Sequence, residues 1–215
     1  MTILRPRVVS QELETETKRF YRDVENYDWV PVVDRFRGME SLLHRSRQRR
    51  TISLVRRYGR GGPFLDVGCG TGLILRYLPA GSVGIDINPR HAARARLHAP
   101  DATVLVGDAE DTLPFPDGSF DAVVCTEVLE HLSHPDRALR HIARVLKSGG
   151  VLIGSTPNHS PIWRLRFLSS THYSNEPFHH EYRRRELMAL FTGWKIMLLK
   201  KGCFGMLHFF VLSKE

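Results

Sequence analysis

A chain of 215 residues that is 42% hydrophobic can build one domain with a full core and falls short of two, so one domain with an appendage is expected. The net charge of +8 suits an acidic partner such as nucleic acid, an anionic lipid face or a phosphorylated substrate, without choosing among them. The opening stretch MTILRPRVVS has no apolar h-region and no apolar run approaches about 18 residues, which argues against a leader or a transmembrane span and for a cytoplasmic protein. Cys69, Cys125 and Cys203 are odd in number and lack zinc or disulfide spacing, the usage of a reducing compartment.

Residues 1–61 are polar and helical in pattern and end at the Gly and Pro of YGRGGP. They are expected to form a helical extension on the lid and substrate side of the domain that fills residues 62–215. Within the extension, HRSRQRRTISLVRR (44–57) predicts a helix with Leu42, Leu43, Ile52, Val55 and Tyr58 on one side and arginines on the rest, a face that is either solvated or anion-binding. From Pro63 onward short apolar runs alternate with helical stretches. The strands are FLDV, SVGIDI, ATVLVGD, FDAVVCT and GGVLIGST, and the helices TGLILRYL, PRHAARARLHA and PDRALRHIARVLK. Such alternation implies parallel crossovers and a sheet covered on both faces. WKIMLLKKG and FGMLHFFVL, joined by a short link, predict an antiparallel hairpin at the sheet edge. The expected fold is an α/β, doubly wound, mostly parallel seven-stranded sheet with a C-terminal antiparallel hairpin and N-terminal helices.

In such sheets ligands bind beyond the carboxyl ends of the strands, where the strand order reverses. FLDVGCGTG (64–72) falls there. Gly68, Gly70 and Gly72 remove side chains where strand turns toward helix, so a ligand can approach the main chain. A dinucleotide fingerprint would need glycine where Leu73 stands and lacks a carboxylate at the place of Asp66, which would repel a pyrophosphate and suit a cationic ligand. Asp86, ending the second strand about twenty residues further on, can accept two hydrogen bonds from ribose hydroxyls.

FLDVGCGTG, VGIDIN, GDAEDTLPFPDGSFDAVVCTEVLEHL and RVLKSGGVLIGSTPN, in this order, resemble the landmarks of the class I S-adenosylmethionine-dependent methyltransferases. The resemblance covers roughly residues 62–215 and implies the Rossmann-like methyltransferase fold, S-adenosylmethionine as cofactor and an enzyme that transfers methyl groups. It implies cofactor-binding roles for Asp66, Gly68, Cys69, Gly70, Gly72, Asp86, Ile87 and Thr126. Asp108 and Ala109 stand at the positions where the family receives adenine, through an acid and the next backbone N–H.

After the fourth strand, Glu127, Glu130 and His131 are spaced so that a helix would bring them onto one face, where two carboxylates and an imidazole could bind a divalent cation or place a general base. This E-x-x-E-H pattern is shared with ubiquinone-pathway O-methyltransferases and with small-RNA 3′-terminal 2′-O-methyltransferases, where it holds a metal. Mg²⁺ or Zn²⁺ on Glu127, Glu130 and His131, with His179 or His180 completing the shell, is therefore weighed against His131 acting alone as a base and against a merely structural helix start. Tyr27, Trp29 and PIWRLRF (161–167) are expected at the lid and pocket wall. The resulting expectation is methyl transfer to a small-molecule acceptor through a hydroxyl oxygen, the acceptor being anionic or membrane-associated. RNA 2′-O-methylation is the same-class alternative, and a non-catalytic cofactor-binding or assembly protein the different-class one.

Overall fold

The computed structural model describes residues 9–25, 28–35, 38–160 and 177–214; Tyr27 and residues 161–167 lie outside them. Five strands run parallel: β1 (Leu65–Val67), β2 (Val83–Asp86), β3 (Thr103–Val106), β4 (Phe120–Thr126) and β5 (Leu146–Pro157). β6 (Lys195–Gly202) and β7 (Leu207–Ser213) form the antiparallel hairpin, and β7 pairs antiparallel with β5. The order across the sheet is β3-β2-β1-β4-β5-β7-β6, so the direction of winding reverses between β1 and β4. That reversal parts the crossovers and leaves the carboxyl ends of β1, β2 and β4 open to a ligand.

Alternation along the strands gives the sheet two apolar faces. Val123 and Cys125 of β4 point into a core with Leu65, Val67, Leu152 and Phe210, covered by Leu139 and Ile142 of α5 (Pro135–Val145) and Leu187 of α6 (Arg184–Leu190). Ala122 and Val124 point the other way, to Val151, Ile153 and Val211, where Leu54 and Val55 of α3 (Gly38–Tyr58) cover them. α4 (Pro89–His98) presents Ala92 and Ala95, whose small side chains let it lie close to Cys69, Leu75 and Val104.

Two further helices precede α3. α2 (Trp29–Asp34) buries Val30 and Val33 against Leu73. α1 (Gln11–Asp23) is capped by Ser10, whose hydroxyl accepts from the Leu13 N–H at 3.2 Å. Of its residues only Thr17 is buried, so its docking rests on polar contacts rather than on an apolar face.

Two local expectations are corrected. TGLILRYL forms turns and a single 3-10 turn, Leu75–Tyr77, instead of a helix. Leu73, Ile74 and Leu75 are consecutive and buried in three different clusters, which one helical stripe could not achieve. In α3, Leu42 is exposed, and the buried positions described before Leu54 are polar: Ser41, His44, Arg47, Gln48 and Thr51.

Gly154 of β5 has no room for a side chain, because a Cβ there would overlap the Phe210 ring and the Cys125 carbonyl oxygen. Gly154→Ala is therefore expected to lower stability by about 1–3 kcal/mol in urea unfolding; an unchanged midpoint would mean that β5 and β7 are not packed as described.

Candidate active site

The site is built from the loops that follow β1, β2, β3 and β4. After β1 the chain turns through three glycines in left-handed conformations, Gly68 (φ 69°), Gly70 (φ 52°) and Gly72 (φ 93°). They differ in what surrounds them. A Cβ at Gly68 would collide with Val128 and one at Gly72 would press on Ala95 of α4 at 3.2 Å, whereas one at Gly70 meets nothing within 4 Å among the described residues. Gly70 is thus where the loop is open among the described residues, while Gly68 and Gly72 let it pack. Cys69 between them turns its side chain into the α4 cluster.

Asp86, at the end of β2, fixes this loop. Its carboxylate accepts the Gly70 N–H at 2.8 Å through one oxygen and the Asn88 N–H at 2.9 Å through the other, with Ile87 half-buried between them in sequence. Asn88 then caps α4, its Oδ1 accepting from the N–H groups of Arg90 and His91 at 2.9 and 3.2 Å. Its Nδ2 donates to the carbonyls of Tyr21 and Val24 at 3.0 and 2.8 Å, which ties α1 to the same corner.

Asp66 lies on β1, just before the glycine loop. It is fully buried beneath the loop, and its Oδ2 finds no hydrogen-bond partner among the described residues. Burial foremost, then the charge of Asp86, pushes its carboxyl up to about 8, against the Leu75 backbone N–H. A carboxyl that is protonated at neutral pH neither repels a phosphate nor attracts a cation, so the electrostatic reason for its presence is replaced by a structural one.

Beyond β3, Asp108 accepts the Glu110 N–H at 2.8 Å through Oδ1 and meets Lys18 of α1 at 2.8 Å through Oδ2. Lys18 also reaches Glu110 at 3.4 Å and Glu14 at 3.3 Å. Burial opposes its charge, but Asp108 and these acids outweigh burial and hold the ammonium above its ordinary value. Ala109 packs against the main core. Glu110 is itself buried and accepts the His134 N–H.

Beyond β4 the E-x-x-E-H residues do not share a helix face, since Leu129–His131 is a 3-10 turn and Glu127 is left-handed (φ 57°). Thr126 is half-buried at the strand end. Glu127 accepts the Ser155 hydroxyl at 2.6 Å and faces Arg47 at 3.7 Å. Glu130 turns inward, accepts the Thr156 hydroxyl at 3.1 Å, and is pushed well above the carboxylate range by burial and then by Glu127. His131 turns toward α1, with Nδ1 2.6 Å from the Tyr21 hydroxyl and Nε2 3.8 Å from Glu130. His179 lies beside it, ring centres 5.2 Å apart, whereas His180 is drawn to Tyr182 and, at 3.7 Å, to Glu186.

The acids are already engaged by the protein, Glu127 by the Ser155 hydroxyl and Glu130, buried, by the Thr156 hydroxyl, which leaves this donor set poorly suited to a divalent cation. Among the described residues no group of three or more His, Cys, Asp or Glu side chains could hold a metal ion. Lys18, Tyr21, Arg47 and Asn88 were not expected at the site. Asn88 carried a sequence signal, as an Asn before Pro at a helix start, and Arg47 lay on the face read as either solvated or anion-binding.

The strand order, the glycine loop and the acids closing β2 and β3 are the arrangement of the Rossmann-like methyltransferase fold. Residues 65–154 match the family described as methyltransferase domain. The ubiquinone biosynthesis O-methyltransferase of Xanthomonas oryzae pv. oryzae is 43% identical over 108 residues, 47% of this chain and 45% of that protein. Its counterpart in Xanthomonas campestris pv. campestris is 42% identical over the same shares, so the chain spans less than half the length of these relatives. Among solved structures, a Thermotoga maritima protein titled an S-adenosylmethionine-dependent methyltransferase, possible histamine N-methyltransferase, superposes with a TM-score of 0.65 at 24% identity, covering 87% of this chain and 98% of that one. The Synechocystis magnesium protoporphyrin IX methyltransferase gives 0.64 at 16% identity, covering 94% of each. A [4+2]-cyclase gives 0.63 at 22%, covering 79% of this chain and 81% of that one, so the fold by itself does not set the reaction.

The state of Asp66 can be read from stability. Folded, its carboxyl keeps a proton to about pH 8; unfolded, it ionises near 3.8, so its contribution to stability falls as pH rises through that window. Asp66→Asn, which stays neutral, is expected to gain on the wild type in urea unfolding between about pH 5 and about pH 8. A difference between the two proteins that does not vary with pH would mean that Asp66 is ionised in the fold.

Proposed function

We propose that the protein transfers the methyl group of S-adenosylmethionine to a hydroxyl oxygen of a small-molecule acceptor. The observation that carries this reading is the corner where the open backbone of Gly70 meets the Asp86 carboxylate, with Asp108 and Ala109 one strand away. Gly68, Cys69, Gly70 and Gly72 would offer main chain to the cofactor, held in shape by buried Asp66. Asp86 and Ile87 would take the ribose, Asp108 and Ala109 the adenine, and Thr126 would border the reacting methyl. Oxygen as the acceptor atom is supported by the 43% identical relative, which is named an O-methyltransferase.

When bound, S-adenosylmethionine supplies a methyl group already activated by its sulfonium. The chain's remaining work is to align the acceptor oxygen and remove its proton. His131 is the base in this account, with Glu130 beside its Nε2 and Glu127 bordering the acceptor. Tyr21 fixes the ring through Nδ1 at 2.6 Å, so α1, acting as a lid within the N-terminal extension 1–61, completes the base when it closes. Lys18 on Asp108 and Asn88 on the Tyr21 and Val24 carbonyls hold the same helix down.

S-adenosylmethionine and S-adenosylhomocysteine are expected to raise the melting temperature, and NAD is not. Label from the methyl group should enter a small molecule of a metabolite extract, with or without nuclease treatment; label that disappears with nuclease would make RNA the acceptor. His131→Ala should lower turnover by about 10²- to 10⁴-fold while still binding S-adenosylhomocysteine. Full turnover by that variant would remove the base from the mechanism.

A further inference from the structure

The N-terminal half of α3 carries a buried polar face that packing does not explain. Toward its C-terminal end the helix lays Leu54 and Val55 on the sheet. Nearer its start, His44, Arg47 and Thr51 follow one another at spacings of three and four on one side. They are exposed by only 8%, 9% and 1%. Each has a buried polar atom without a hydrogen-bond partner among the described residues: Nδ1 of His44, Nε of Arg47 and Oγ1 of Thr51. Groups buried in this way are ordinarily satisfied, and an unmet charge is the costliest to leave.

Arg47 places this face in the site. Its Nη1 lies 3.7 Å from Glu127, beyond hydrogen-bonding reach, and Glu127 follows β4 in a left-handed conformation on the proposed acceptor side. Ser155 already satisfies the other Glu127 oxygen. His44 stacks on Trp29 with ring centres 4.0 Å apart, and burial, followed by the charge of Arg47, keeps its ring uncharged. The face therefore offers one guanidinium with unused N–H donors, flanked by a neutral imidazole and a hydroxyl.

We propose that His44, Arg47 and Thr51 form the wall that anchors the methyl acceptor, and that they take a carboxylate on it. A planar guanidinium fork matches the two oxygens of a carboxylate, and the neutral neighbours add donors without charge. A phosphate dianion fits less well, since the one buried cation already faces Glu127. The inference rests on the methyl-transfer reading and names the class of acceptor for that same site: a hydroxylated carboxylic acid.

The probes are 3,4-dihydroxybenzoate, 4-hydroxyphenylacetate and 3-hydroxybutyrate, each paired with its amide and titrated calorimetrically into the protein saturated with S-adenosylhomocysteine. For at least one pair the wild type should bind the acid about 10-fold or more tighter than the amide, a preference that falls below about 2-fold in Arg47→Met and recovers in part in Arg47→Lys, which keeps the charge but not the fork. Thr51→Val, which changes no charge, should weaken the preferred acid several-fold and serves if Arg47→Met does not fold. Affinity for S-adenosylhomocysteine should be unchanged in all three variants. No preference for any acid in the wild type, or a preference that survives in folded Arg47→Met or is untouched in Thr51→Val, would overturn the wall. Failure of S-adenosylhomocysteine itself to bind the wild type would overturn the methyl-transfer reading beneath it.

Discussion

Two backbone N–H groups converge on the carboxylate of Asp86, Gly70 from the loop after β1 and Asn88 from the start of α4. Much of the site depends on this clamp. It holds the glycine loop in its left-handed turns, and it sets Asn88 so that one side chain caps α4 and grips two carbonyls of α1. Charge-assisted bonds to backbone are short and strong, so a single buried acid can order three segments that are distant in sequence. The remaining lone pairs of the same carboxylate are what a ribose diol would need, so architecture and the proposed ligand recognition would share one group.

The helices before the sheet are attached in two different ways, and the difference suits different tasks. α3 is anchored by apolar contacts at its C-terminal end and cannot leave without opening the core. α1 buries Thr17 and is otherwise held by Lys18 on Asp108, Glu14 on His134, Tyr21 on His131 and the amide of Asn88. Elements with little apolar burial open at low free-energy cost, which is what a lid over a small-molecule site requires. Its contacts fall on the residues proposed to receive adenine and to act as base, so opening would release both ends of the site together.

The sheet was legible because each strand is a compact apolar run and each crossover helix has a periodic stripe; the hairpin showed itself by two runs with a short link. The glycine loop was legible as a place, though only Gly70 of its three glycines faces open space among the described residues. Three misreadings have physical causes. The 71–78 stretch looks helical by composition, but its consecutive leucine and isoleucine side chains serve separate clusters. The E-x-x-E-H residues were assigned a helical period that a left-handed Glu127 breaks. Arg47 was one of several arginines on a face read as either solvated or anion-binding, because nothing in a one-dimensional pattern says which of them lies buried beside the carboxyl ends of a sheet. His179 and His180 are adjacent in sequence, and only the path of the following strand-like bridge at Tyr182 distinguishes the one beside His131 from the one drawn to α6.

The central claim is that the corner formed by Gly70 and Asp86 receives S-adenosylmethionine. A crystal structure with S-adenosylhomocysteine tests it most directly. The account predicts ribose hydroxyls on the Asp86 carboxylate, main chain of Gly70 against the ligand, and adenine beside Asp108 and Ala109 under α1. A ligand bound elsewhere on the chain, or one that leaves Asp86 and Gly70 untouched, would contradict it.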